Sequence, residues 1–321
     1  MIRHSVIAMP TPLTWCNHDL ETHLRNVATL VMCPGEAAKQ EQYRNVRIGR
    51  LGRVINAIVN SLSVITGWPV KRVRTALGIS AYLHDIGKAL SIYQREFEKC
   101  GKENEILLLD GYQIWSAWVA YHVFEGLETL KILRIDSTPY IIGIMLYNDD
   151  IYDAVIDEYY QLKDKYKPSD LEDLILGEIQ IGGLSIEEWA REATTKLIQE
   201  GFYPRPSDVE EIIKLLKHIE EICGGALKLN HDFYDYVKTA LSNDTASIKE
   251  AAEDMVDKLM SVVSRKYGDF VAYVITITDY IDSWAHGIIS RKYGEEITQI
   301  TFKKYIKTKK PNYRPTNRFT D

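Results

Sequence analysis

Four cysteines in 321 residues, Cys16, Cys33, Cys100 and Cys223, lie far apart with no C-x-x-C pair. That spacing excludes a zinc ribbon and offers no disulfide framework, so buried or inert thiols are expected. No apolar run approaches the ~20 residues that span a bilayer. The N-terminus lacks the basic-then-apolar pattern of an export signal. A cytoplasmic protein with no membrane partner is therefore expected. Asn-Gly and Asp-Gly turns between alternating apolar runs are also missing, and no internal repeat is evident, which argues against a hairpin-built β fold. An excess of positive charge is missing too: the net charge of −6 argues against nonspecific coating of nucleic acid.

The charge is uneven, however. Residues 291–321 hold nine Lys/Arg against Glu295, Glu296 and Asp321, a local balance of +6 that leaves −12 for the remainder. The stretch from Phe302 to Pro315 mixes these cations with aromatics. Such a mixture suits phosphate contacts and base stacking, and equally suits a solvated chain end.

What the chain does have is helical periodicity and enough apolar residues, 45%, to fill a sizeable core. Leu20, Leu24, Val27, Leu30 and Val31 follow a 3.6-residue period behind Asp19 as N-cap, and His23 lies on the same inward stripe. Val46, Ile48, Leu51, Ile55, Ile58, Leu62 and Ile65 predict a long amphipathic helix over 45–66, ended by Gly67-Trp68-Pro69. Further helices are expected over 70–86, 114–127 and 140–146. The fold class is all-α.

Residues 150–250 are more acidic and carry turn signals such as Gly182-Gly183 and Tyr203-Pro204-Arg205-Pro206. Helices over 186–200 and 207–223 fit between them, the second starting with Ser207 as cap and Glu210 at N3. The organisation read from this is a core over 1–150, a helical insertion over 151–250, a closing core helix within 251–290, and a basic tail over 291–321.

The stretch Tyr82-Leu83-His84-Asp85-Ile86-Gly87-Lys88 carries the chemistry. Imidazole and carboxylate are both good ligands for a divalent metal. Leu83 and Ile86 direct the pair toward the core, where charged groups need partners. Gly87 permits a backbone turn, and Lys88 places a cation nearby, either for a phosphate or at a helix C-terminus. The dipeptide alone is weak, since His18-Asp19 and His231-Asp232 repeat it. Two further residues give it context. His23 is inward-facing, and Asp279 lies in the apolar run from Val274 to Ile281. Singly, His23 reads as well as a satisfied core histidine, and Asp279 as a partner for Thr276 or a lysine.

The order His…His-Asp…Asp resembles the HD metal-dependent phosphohydrolase superfamily. Thr22 to Ala28 is similar to the H-L-x-x-V-A opening of the CRISPR-associated HD nucleases. His84 to Ala89 followed by Tyr93-Gln94 resembles their H-D-I-G-K-A…F-Q segment, Ile114 to Trp118 the segment after their third histidine, and Thr278 to Ser283 their closing D-[WY]-x-x-S motif. The resemblance covers about residues 18–148 and 255–290. It implies a helical bundle with His23, His84, Asp85 and Asp279 as metal ligands at its centre. It also implies a nuclease that cuts single-stranded DNA in type I CRISPR interference, working with a separate helicase subunit and an RNA-guided surveillance complex.

The sequence departs from that pattern at Gly111-Tyr112-Gln113, where the family has R-H-E, and at Tyr147-Asn148, where it has a His-His pair. Those histidines serve mainly a second metal, so one ion per chain is expected. Asn148, Asp149 or Asp150 can add an oxygen ligand. His122 does not replace the missing histidine, because ten residues beyond Tyr112 place it about 80° off the same helix face. The mixed nitrogen and oxygen donors suit Mn²⁺, Ni²⁺, Fe²⁺ or Zn²⁺ better than Mg²⁺. One ion activates water and polarises a phosphoryl oxygen, with Asp85 and Lys88 as the catalytic side chains. Two other readings stay open: a hydrolase of small nucleotides, and a degenerate binding or regulatory subunit.

Overall fold

A computed structural model describes residues 7–8, 18–44, 46, 48–98, 111–146, 180–181, 184–225, 227–242, 245–261 and 268–286. The expected all-α class holds. The extended structure among the described residues is two antiparallel pairs of two-residue strands: β1 (Ile7–Ala8) with β2 (His18–Asp19), and β3 (Gln180–Ile181) with β4 (Leu184–Ser185). No described helix is long and apolar enough to cross a membrane. Tyr147 to Asp150, the tail over 291–321, Cys16 and Cys100 lie outside the described residues.

Helix α1 (Leu20–Met32) starts where expected, with the Asp19 carboxylate accepting from the Thr22 backbone N–H at 2.8 Å. A short α2 (Pro34–Ala37) and a 3-10 turn (Glu41–Tyr43) lead to α3 (Ile48–Thr66). That helix ends at Gly67, whose φ of +72° suits glycine. Helix α4 (Val70–Leu83) follows Pro69 and stops three residues short of the expected end. His84-Asp85 therefore lies in a junction between α4 and a 3-10 turn (Ile86–Ala89), not inside a helix. The Gly87 N–H leaves the helical ladder to donate to Ser116 Oγ at 2.9 Å, while Lys88 N–H closes back on the Asp85 carbonyl. Gly87 itself is needed for close approach rather than for a left-handed turn. A Cβ there would meet the Tyr112 carbonyl oxygen at 2.2 Å.

The core continues with α5 (Ser91–Glu98), α6 (Tyr112–Thr129) and α7 (Thr138–Met145). Helix α6 is apolar on nearly all sides and is buried accordingly, Trp115 and Trp118 completely. After the intervening α8 (Ile186–Gln199), α9 (Pro206–Lys217), a 3-10 segment (His218–Gly224), α10 (His231–Leu241) and α11 (Thr245–Ser261), the last described helix is α12 (Gly268–Ala285). It packs closely on α7, because a Cβ on Gly143 would sit 2.5 Å from Val271 and one on Gly268 2.5 Å from Ile142.

Helices α8 and α9 pack on the core at defined points. Tyr82 donates to the Leu215 carbonyl at 2.6 Å, the Ser91 N–H to Asp208 at 3.0 Å, and Leu197 covers Gly111. Pro206 takes the first helical position of α9, so Arg205 rather than Ser207 is the N-cap. Asp208, not Glu210, reaches back to the cap N–H at 2.9 Å. The expectation of inert thiols is overturned for two of the cysteines. Cys33, after α1, and Cys223, in the 3-10 segment, form a disulfide with a Cα–Cα distance of 6.0 Å across 190 residues of sequence. Wide sequence spacing hid the pair, and the fold brings the two residues together.

Candidate metal centre

The three His-Asp pairs separate by burial. His231 is exposed at the start of α10 and pairs with Asp235, and Asp19 caps a helix. His84 and Asp85 are completely buried, as are His23 and Asp279. The α4 junction supplies His84 and Asp85, α1 supplies His23, and α12 supplies Asp279.

Donor atoms of His23, His84 and Asp85 all lie within 4.8 Å of one another. His23 Nε2 is 3.7 Å from Asp85 Oδ2, His84 Nε2 is 3.7 Å from the same oxygen, and Asp279 Oδ1 is 3.1 Å from His23 Nε2. Ligand atoms held about 2.1 Å from one ion lie roughly 3–4 Å from each other, so this spacing fits a divalent metal. Among the described residues no other group of three such side chains converges in this way.

Both histidines are oriented for the same role. The Nδ1 of His84 is 2.8 Å from the Ala81 carbonyl, which only accepts, so Nδ1 carries the proton and Nε2 is the nitrogen that could bind a metal. Burial, reinforced by the nearby cations of His23 and Lys88, pushes the His84 pKa down and keeps the ring neutral as a ligand must be. The Nδ1 of His23 is 2.8 Å from Asp282 Oδ2. Burial pulls the His23 pKa down, but hydrogen bonds to and negative charges on Asp279 and Asp282 outweigh it and hold the pKa at about 10.

Asp282 is the residue that sequence reasoning missed. It is fully buried on α12, three residues from Asp279, and accepts from His23 on one oxygen and from Tyr43 at 2.5 Å on the other. His286 reaches its Oδ1 at 3.2 Å and its carbonyl at 2.9 Å. A carboxylate behind a ligating histidine fixes the ring and raises its basicity. The i,i+3 spacing of two acids in an apolar helix was the available signal, since it places both on one face.

Lys88 does not cap a helix. It is fully buried, and its Nζ donates to Asp85 Oδ2 at 2.6 Å while standing 4.3 Å from the Tyr112 ring centroid. Tyr112, at the place where the resemblance calls for a histidine, thus covers the ammonium with its aromatic face. Asp85 Oδ1 is buried and meets no hydrogen-bond donor among the described residues. His122 belongs elsewhere: its ring packs edge-on against Trp118 and Tyr121, 3.7 Å from Glu125.

Comparison with family models, with curated proteins and with solved structures finds no significant match.

Proposed function

We propose that the chain is a one-metal phosphodiesterase of the HD type, a nuclease acting on single-stranded DNA. The observation that carries this reading is the buried Asp85 carboxylate, whose Oδ2 lies 3.7 Å from the Nε2 atoms of both His23 and His84 while its Oδ1 meets no hydrogen-bond donor among the described residues. A buried carboxylate oxygen left without a partner is costly, and a cation between two imidazoles satisfies it.

In this reading His23, His84, Asp85 and Asp279 hold the ion and Asp282 orients His23. Bound there, a divalent metal supplies Lewis acidity for attack on a phosphodiester. Asp85 orients the attacking water. Lys88, 2.6 Å from Asp85, is the cation positioned to offset charge developing on the phosphoryl oxygens. The choice of DNA, and of a helicase subunit and RNA-guided complex as partners, rests on the motif resemblance. Mn²⁺, Ni²⁺, Fe²⁺ or Zn²⁺ are the ions the donor set favours over Mg²⁺.

Tyr112 against Lys88 favours a second reading, a degenerate HD protein serving as a binding subunit. Metal analysis followed by cleavage of a labelled single strand with each ion separates them. The nuclease reading expects about one equivalent of metal and cleavage lost in Asp85→Ala. Metal binding without cleavage supports the second reading, and failure to bind Mn²⁺ or Ni²⁺ overturns the nuclease reading and leaves the second.

A further inference from the structure

The stretch from Leu215 to Cys223 grips two of the elements that carry candidate ligands. Its Leu215 carbonyl accepts from Tyr82, two residues before His84. Further on, His218 stands between two acids, with Nε2 3.3 Å from Glu21 of α1 and Nδ1 3.3 Å from Glu221 of its own 3-10 segment. Arg25 of α1 meets the same two acids, Glu21 at 3.5 Å and Glu221 at 3.1 Å. Glu21 and Arg25 lie two residues to either side of His23. Ile219 and Ile222 are buried beneath these pairs. At the far end the Cys33–Cys223 bond ties the segment to the end of α1. Partly exposed ion pairs contribute little, so the bond and the two isoleucines are the firm attachments.

The backbone at the bonded end is unusual. Cys223 has φ +56° and ψ +36°, and Gly224 and Gly225 follow it at φ +69° and +84°. Left-handed backbone is unfavourable for a residue with a Cβ, and among the described residues Lys131 alone shares a positive φ with Cys223. Both cysteines are partly exposed. Accessible disulfides anchored in strained backbone are the labile ones, in contrast to buried structural bonds.

We propose that Cys33–Cys223 is a site of reversible thiol–disulfide exchange, which sets how firmly the 3-10 segment is held on α1 and, through α1, how well His23 is placed against His84. The reductant is a dithiol. Its thiolate attacks one sulfur of the bond, and the other sulfur leaves as a thiolate and takes up a proton. The reductant's second thiol then displaces the first cysteine from the mixed disulfide. Two electrons and two protons pass to the cysteine pair, and the reductant leaves as its own cyclic disulfide. Cys223, once released, turns out of the left-handed region, and the segment keeps only its ion pairs and the packing of Ile219 and Ile222. The effect on metal binding rests on the metal-centre reading, whereas the exchange and the loosening of the segment do not.

The test compares the oxidised chain, the chain reduced with dithiothreitol, and Cys33→Ser/Cys223→Ser. The reductant is removed by anaerobic gel filtration before each measurement, so that it cannot chelate the ion. Peptide masses of the oxidised chain are expected to show the link between residues 33 and 223. Amides of residues 218–225 should exchange hydrogen about tenfold faster in the reduced chain and in the variant, with those of α6 unchanged. The Mn²⁺ Kd should rise about fivefold in both, at the low end of coupling between separate sites. Reoxidation should restore both readings in the wild type and neither in the variant. A link that fails to form even with oxidised glutathione overturns the proposal, and so does equal amide exchange in the two states. Faster exchange with an unchanged Mn²⁺ Kd overturns the coupling to His23. An oxidised chain that binds no Mn²⁺ counts against the metal-centre reading instead, and amide exchange alone then decides whether the bond is a switch.

Discussion

The Nδ1 of His23 and the Asp282 carboxylate meet at 2.8 Å in a fully buried contact that links α1 to the last described helix, α12. Because Tyr43 holds the other Asp282 oxygen at 2.5 Å, the imidazole has one allowed orientation, with Nε2 facing Asp279 and Asp85. Asp282→Asn keeps the volume but removes the charge. It is expected to weaken Mn²⁺ or Ni²⁺ binding by about 10- to 100-fold, read by calorimetric titration. Unchanged affinity would show that Asp282 serves packing alone.

The metal and the His23 proton compete for one nitrogen. The folded-state pKa of about 10 lies above the ordinary 6.5. Apparent metal affinity should therefore rise with pH up to about 10, by close to tenfold per unit where other ligands do not titrate. For the metal-free chain the sign is opposite. A raised pKa contributes stability that is full below 6.5 and is lost as pH climbs through 10. Thermal melts in EDTA should fall between pH 7 and 9, and the gap between metal-loaded and metal-free melts should widen. A constant gap would count against His23 as a ligand.

Lys88 and Asp85 form a buried pair, so removing the lysine leaves a carboxylate in the core. Lys88→Met preserves the contact with Tyr112 and is expected to cost about 3–5 kcal/mol in EDTA. Much of that loss should return with saturating Mn²⁺, which supplies the missing positive charge. Differential scanning calorimetry with and without metal reads both numbers, and a loss that metal fails to reduce would place the ion away from Asp85.

Gly143 sets the distance between α7 and α12. Gly143→Ala puts a methyl where Val271 already stands, 2.5 Å away, and is expected to destabilise by roughly 1–3 kcal/mol. Since α12 carries Asp279 and Asp282, metal affinity should fall with it. A melting temperature matching wild type would mean that the helices separate at no cost.

The parts of this site that the sequence discloses are those whose chemistry is local. His84-Asp85 stands between apolar neighbours, and His23 and Asp279 each interrupt an apolar stripe, so burial of a ligand-type side chain is readable from periodicity. Asp282 breaks the same stripe as Asp279, yet its purpose depends on Tyr43 and His23, more than 230 residues away, and no local pattern reports such a contact. The end of α4 was misjudged for a similar reason: Leu83 and Ile86 continue the apolar period, but Ser116 on another helix captures the Gly87 N–H. Ser207 lost the cap of α9 to Arg205 through a local effect, the preference of Pro206 for the first helical turn.

The Cys33–Cys223 bond closes a covalent ring around much of the chain. His84, Asp85, Lys88 and Tyr112 lie within the ring, whereas His23, Asp279 and Asp282 lie on the two arms outside it. A protease cut anywhere between the two cysteines would open the ring without releasing a fragment, and the cut chain would run as one species on a gel until a thiol is added. Oxidised protein can thus be nicked at a loop and still keep both arms and both halves of its candidate metal centre tethered, which fully reduced protein cannot do.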